Sequence, residues 1–303
     1  MRALIPAHDS RAIIRIGAAL QKYAPGEVRL IPPMRKDSKR SAQLPGEADG
    51  DLVVLPINGL RDHWQALAAR CRARGQRYAV VQIALRTSRH PSTEQWRDLW
   101  RGAAVVWSYY PLGRWIAEDG GAPLDFPFYH APLGVDGSVF TPGDGHALRG
   151  YTVLTSGFRR HQEGVAECDE AAAAVDGCVF QLGPTFSMKA ETFYGTGLED
   201  DELARIYQQC QWVSGLRRTE GFELPAAEGL LCGARPLLFD RPHYRCWYES
   251  WGDFVTEGGR TVEELTRLFE RGPRPVTGPE RDAAARLFDW ERICRGFWER
   301  CDA

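Results

Sequence analysis

Short apolar runs alternate with amphipathic stretches along the whole chain. RALIPA reads as a strand, followed by the polar turn HDS. A helix is then predicted over 10–23, with Ser10 as its N-cap and Ile13, Ile14, Gly17 and Leu20 on one face. Pro25 and Gly26 stop it. VRLIPP is a second strand, and MRKDSKRSAQLPGEADG is a polar, basic loop. DLVVLPI is apolar throughout, as in a strand buried on both faces of a parallel sheet. A helix over 60–75, strand YAVVQIAL, a helix over 92–101, strand AAVVWSY and a helix over 111–119 follow in turn. Strand alternating with helix predicts a doubly wound parallel sheet.

The segment APLDFPFYHAPLGVDGSVFTPGDG is rich in Pro and Gly, and its end marks the expected domain boundary. A second alternation begins beyond it. It runs through strand YTVLTSG, a helix over 162–175, strand GCVFQLG, an extended ETFYG, helix DDELARIYQQC and strand QWVSGL. Strand RPLLFD, a helix over 242–250, the short strand DFVT and a helix over 261–271 complete it. One last helix is predicted over 279–300, with Pro279 near its start. The expected organisation is thus an α/β chain of two Rossmann-like doubly wound domains: 1–143, then 144–278, with 279–303 returning to the first. Open sheets of this kind bind ligands beyond the carboxyl ends of their strands, which makes the cleft between the two domains the expected site.

Composition adds limits. With 303 residues, 44% hydrophobic and 26% charged, the chain is neither disordered nor fibrous. The net charge of −2 is unevenly spread. Residues 1–140 carry 19 basic and 13 acidic side chains, and residues 141–303 carry 19 and 27. A basic half beside an acidic one points to an anionic partner for the first half. The eight cysteines include no CxxC pair and no zinc-site spacing, so reduced thiols and a cytoplasmic protein are expected. No apolar stretch approaches the ~20 residues that span a bilayer, and ALIPA is too short for a leader.

The stretch TEGFELPAAEG, residues 219–229, carries the chemistry. It follows a strand, so Glu220 belongs to a loop at the carboxyl edge of a sheet. Gly221 permits close approach of the backbone to a ligand. Pro225 suits the first turn of a helix over 225–232, and Gly233 suits its end. Glu228 would then project from the first helical turn. The free N–H groups at that helix start favour an anion such as a diphosphate. Two carboxylates beside a diphosphate are tolerable where they accept hydrogen bonds from sugar hydroxyls.

At this point the sequence resembles a known family. EGFELPAAEGLLCGARPLLFD resembles the E-x7-E segment of retaining GT-B glycosyltransferases of the glycogen-synthase-like and mannosyltransferase type. PLGVDGSVFTP (132–142) resembles their interdomain segment, LEDDELARIYQQCQWVSGL the approach to the motif, and FDWERICRGFWE their closing helix. The resemblance covers residues 130–300 in sequence and the remainder only in topology.

It implies a GT-B fold, a nucleotide-sugar donor on the second domain, an acceptor on the first, retention of configuration and no required metal or other cofactor. Glu220 would lie by the donor sugar and Glu228 would bind the ribose hydroxyls. Gly221, Phe222, Glu223 and Leu224 would line the donor. Two departures stand out: Glu223 replaces a family glycine, and the phosphate-binding GR…KG stretch reads SGFRRHQEG, with Glu163 at the lysine position. Arg159, Arg160, Arg217 or Arg218 would have to supply the positive charge. In the first domain, loops after strands put His8, Asn58 and Arg86 by the acceptor. Asp9 and His90 there join Glu220 as candidate catalytic groups.

Basic groups at Arg35, Lys36, Lys39 and Arg40, and at Arg70, Arg72, Arg74 and Arg77, favour an anionic acceptor. DNA with hydroxymethylated bases, as small phage GT-B enzymes use, is one candidate; an anionic lipid or a glycan precursor is the other. A sugar-nucleotide epimerase of the same fold and a non-catalytic binding protein are the rival readings.

Overall fold

A computed structural model of the chain describes residues 2–6, 11–31, 52–57, 61–83, 94–114, 126–143, 150–218 and 221–302. The chain divides into two compact units, 1–133 with 290–303, and 134–289. Both divisions differ by about ten residues from the expected 143/144 and 278/279.

The first unit contains β1 (Arg2–Pro6), α1 (Arg11–Lys22), β2 (Glu27–Ile31), β3 (Leu52–Ile57), α2 (Arg61–Ala73), β4 (Arg77–Gln82), α3 (Glu94–Trp100), β5 (Val106–Ser108) and β6 (Phe128–His130). Its sheet is parallel in the order β2-β1-β3-β4-β5-β6. β3 is buried along its whole length, as its unbroken apolar run requires. β6 falls inside the Pro- and Gly-rich segment, where no strand is expected from pattern. Its alternation is short, and pairing with β5 rather than propensity defines it. On α1 Ile13, Ile16, Gly17 and Leu20 form a buried i, i+3, i+4, i+7 stripe, with Ala19 buried at its margin. Ile14, expected on that face, is 55% exposed. The helix expected over 111–119 is described only as a single turn at 112–114.

The second unit contains β7 (Tyr151–Thr155), α4 (Val165–Ala173), β8 (Cys178–Leu182), β9 (Glu191–Gly195), α5 (Asp200–Gln208) and β10 (Cys210–Gly215). It continues with α6 (Leu224–Leu231), β11 (Arg235–Phe239), α7 (Pro242–Tyr248), β12 (Asp253–Val255), α8 (Thr261–Arg271) and α9 (Gly278–Leu287). The sheet order is β9-β8-β7-β10-β11-β12, all parallel. This is the 3-2-1-4-5-6 order of nucleotide-binding doubly wound sheets, whose direction of winding reverses between β7 and β10.

The single helix expected over 279–300 is two. α9 begins with a capping box at Thr277 and Glu280 and ends before Phe288. α10 (Trp290–Asp302) follows and belongs to the first unit. The break comes at Phe288 and Asp289, where the Phe288 carbonyl accepts from Val135 N–H (2.8 Å) and Asp289 bridges to Val135. Those bonds take the backbone out of the helical ladder, although the apolar spacing continues through it.

Seven of the nine tryptophans among the described residues are buried in the two cores. Trp107 packs against Tyr129, Trp290 and Phe297, and Trp212 against Phe269. All eight cysteines are free thiols. No described helix is long and apolar enough to cross a membrane.

Candidate functional site in the second unit

The carboxyl ends of β7 and β10 adjoin at the point where the second sheet reverses. Two loops leave there: residues 156–164, and residues 216–223 without Thr219 and Glu220, which lie outside the described residues. Buried polar side chains tie the strand ends together. Thr155 donates to Gln181 Oε1 (2.5 Å), and Gln181 Nε2 donates to the Gly157 carbonyl (2.9 Å).

Arg217 joins the two loops. Its Nη1 meets Glu163 Oε1 at 2.7 Å and its Nε meets Glu223 Oε2 at 2.9 Å. A third nitrogen donates to the Ser156 carbonyl and to Ser156 Oγ (3.2 Å). The two carboxylates differ in setting. Glu223 is 1% exposed, accepts from the Tyr244 hydroxyl (3.2 Å), and has its own carbonyl held by the Tyr248 hydroxyl (2.8 Å). Glu163 is 14% exposed, and its Oε2 accepts from the backbone N–H groups of Phe158 and of Arg159 (2.8 Å).

Glycines make this packing possible. A Cβ on Gly215 would collide with Glu223 Cγ, and a Cβ on Gly164, whose φ is +64°, would collide with Leu216. Glu223 therefore fills the space that the strand-end glycine leaves open.

α6 begins at Leu224, one residue earlier than expected, with Pro225 inside its first turn. Glu228 consequently lies in the second turn. It is buried among small residues, and its Oε2 accepts from the Tyr207 hydroxyl of α5 (2.9 Å). Phe222 is buried, with its ring 5.8 Å from Tyr248 and 5.7 Å from Phe288, so its side chain belongs to the core. Gly221 is buried and Leu224 half-buried beside it. Burial raises the Tyr248 hydroxyl pKa well above its ordinary value, with the Glu223 and Glu228 charges adding to it, so this hydroxyl stays a donor.

The remaining candidate arginines separate cleanly. Arg160 pairs with the buried Asp169 (2.9 Å), whose other oxygen accepts from Lys189 and Ala190 N–H; this is a structural lock on the β8–β9 connection. Arg218 pairs with Glu167 (2.6 Å) and Glu257 (3.1 Å) and lies over the Phe239 ring. Arg159 is exposed, and its guanidinium donates to the neutral Gln162 (2.9 Å).

His8, Asp9, Asn58, Arg86 and His90 lie outside the described residues, as does Glu220. In sequence His8 and Asp9 follow β1 and Asn58 follows β3, two strands that neighbour one another in the first sheet. Sequence reasoning missed Tyr207, Tyr244 and Tyr248, because nothing local connects them to the motif; each stands more than twenty residues from the group it holds, except by way of the fold. No cluster of His, Cys, Asp and Glu suited to a metal occurs among the described residues.

No family model matches the chain, and no curated protein sequence matches it. Solved structures do. HepE of Anabaena, in complex with UDP and glucose, is 13% identical with a TM-score of 0.73 over 100% of this chain and 99% of that one. The sucrose-phosphate synthase of Thermosynechococcus elongatus is 12% identical with a TM-score of 0.76, over 99% and 98%. The lipopolysaccharide outer core galactosyltransferase WaaB is 12% identical with a TM-score of 0.66, over 99% of each chain. At such identities the likeness concerns the fold. Together with two parallel six-stranded sheets wound in the orders given above, it establishes a two-domain α/β architecture of the GT-B type.

Proposed function

We propose that the protein is a retaining glycosyltransferase that takes a sugar from a nucleotide diphosphate donor and passes it to a hydroxyl of an anionic acceptor. The observation that carries this reading is Arg217, held at the winding reversal of the second sheet in the loop that leads into α6. A guanidinium there meets the charge that develops on a departing diphosphate, and the N–H groups at the start of α6 add to it. Glu228 and Glu220 would accept from ribose and sugar hydroxyls. Asp9 and His90 remain the candidate catalytic groups of the first unit, with His8, Asn58 and Arg86 as acceptor contacts. The complexes of HepE with UDP and with UDP-glucose support a uridine diphosphate sugar as the first donor to try. No metal is required in this reading.

The acceptor is proposed from charge. The surplus of basic residues in the first 140 favours a polyanion, with hydroxymethylated DNA ahead of an anionic lipid or glycan precursor. Two of those arginines are held by neutral partners within the fold: Arg72 donates to Tyr78 Oη and to the carbonyls of Asp98 and Arg101, and Arg77 donates to the Cys301 carbonyl.

The test is a thermal-shift panel of sugar nucleotides with bare nucleotide diphosphates as controls, with and without EDTA. A ligand at about 100 times its Kd stabilises by roughly 2.7 kcal/mol, a shift of several degrees. The donor found is then offered to acceptors at low and moderate salt, where a polyanion loses affinity steeply. Product of unchanged anomeric configuration is expected, and its inversion rules out the retaining mechanism.

One observation favours a second reading, a GT-B protein that binds without turnover: the positive charge of Arg217 is already matched by two carboxylates. Donor binding with no acceptor-dependent release of nucleotide would select it.

A further inference from the structure

We infer that Glu163 is an internal occupant of the diphosphate seat, which a ligand has to displace; the inference rests on the donor site proposed above. Three groups that suit a phosphate oxygen converge on this one side chain. Phe158 N–H and Arg159 N–H both donate to its Oε2, and Arg217 Nη1 lies 2.7 Å from its Oε1. Consecutive backbone N–H groups after the first strand of such a sheet form an anion-binding concavity. Here the anion comes from the protein, four and five residues along the same loop.

Charge makes coexistence unfavourable. Arg217 carries one positive charge against the negative charges of Glu163 and Glu223, so an incoming diphosphate meets a cluster that is net negative. One carboxylate has to leave, and burial decides which. Glu223 is 1% exposed, with Tyr244 donating to its carboxylate, and its side chain packs on Gly215. Glu163 is 14% exposed, and its two backbone partners lie in an exposed loop. Rotating Glu163 outward rehydrates it; moving Glu223 would strand a charge in the core. Glu223 is thus the permanent partner that orients Arg217, and Glu163 the exchangeable one. Glu163 thereby sets a threshold for the ligand: it must present an anion strong enough to replace a carboxylate on all three donors.

The experiment is calorimetric titration of the full chain with pyrophosphate and with UDP, using the wild type, E163Q and E163A. E163Q keeps the size and the acceptor oxygen while removing the charge, and E163A empties the seat. Both variants are expected to bind pyrophosphate at least tenfold more tightly than the wild type. In parallel, the amide resonances of Phe158 and Arg159 in the labelled wild type are expected to shift on adding pyrophosphate, a readout that does not depend on any variant folding. Equal affinity of all three proteins for pyrophosphate overturns the inference while leaving the donor site standing. Unmoved Phe158 and Arg159 amides under saturating ligand overturn it likewise. Absence of any binding of UDP or pyrophosphate, by wild type and variants alike, overturns both this inference and the donor site on which it rests.

Discussion

Glu228 shows how much a single buried acid depends on its partner. Its carboxyl group lies on an otherwise apolar helix and accepts from the Tyr207 hydroxyl at 2.9 Å. Tyr207→Phe keeps the ring, which packs 6.0 Å from Phe140, and removes only the donor. A loss of about 1.5–3 kcal/mol is expected, the contribution typical of a hydrogen bond to a charged group, and urea unfolding of the variant measures it. An unchanged midpoint would mean that Glu228 finds other partners in the fold. The identity of Glu228 as a special residue was legible from its spacing to Glu220, whereas Tyr207 was not. The tyrosine reads locally as one more apolar position of α5, and its function exists only because α5 packs beside α6. Glu163 and Glu223 were visible as departures from an expected pattern. Their pairing through Arg217 required the sheet order, which no local pattern encodes.

At the scale of elements, the loop between β7 and α4 depends on one backbone position. Gly164 has φ +64° and serves as the N-cap of α4, with Leu216 pressed against the place a side chain would take. Gly164→Ala combines an unfavourable backbone with a collision against β-strand-end packing. A loss of about 2 kcal/mol or more is expected, since strain and overpacking each cost about 1–3 kcal/mol, and thermal unfolding checks it. Because Glu163 precedes this glycine, the same variant should also disturb the N–H groups of Phe158 and Arg159. A strand with an unbroken apolar run, such as β3, was legible from the sequence because burial on both faces leaves nothing to alternate. β6 was not, since three residues carry no period. The division between α9 and α10 was hidden for the opposite reason: apolar spacing continues across it, and only the backbone bonds to Val135 interrupt the helix.

For the whole molecule, three titrating groups agree on the effect of acid. Hydrogen bonding from Arg245 holds the Asp240 pKa below the usual carboxylate value. At Glu280 burial raises the pKa, but bonds from Thr277 and the charges of Arg235 and Arg274 outweigh it, leaving the pKa lowered. Partial desolvation lowers the pKa of His130, a side chain still exposed on its outer face, against a weaker opposing bond from the Tyr109 carbonyl. In each case the unfolded chain binds the proton more readily, so stability rises with pH through the window between the folded and unfolded values. The His130 contribution is complete above its unfolded value of about 6.5 and declines below it; the two carboxylate contributions decline below about 4. Unfolding midpoints measured from pH 8 to pH 3 are expected to fall in two stages. A midpoint that rises on acidification through pH 6 would contradict the assignment for His130.

The return of α10 to the first unit also governs the order in which the molecule can be assembled during synthesis. Residues 134–289 form an uninterrupted stretch, so the second unit has every residue it needs before 290 emerges. The first unit does not, although most of it is made earlier. Trp107 lacks Phe297, the Tyr129 hydroxyl lacks the Ile293 carbonyl, and the Leu20 carbonyl lacks the Trp298 indole until α10 arrives. The earlier-made unit therefore waits, with part of its aromatic core uncovered, while the later one folds; domains made in simple succession mature in the reverse order. A nascent chain from which residue 290 has yet to emerge can hold a finished second unit and an unfinished first one, dependent in the meantime on whatever shields exposed apolar surface in the cell.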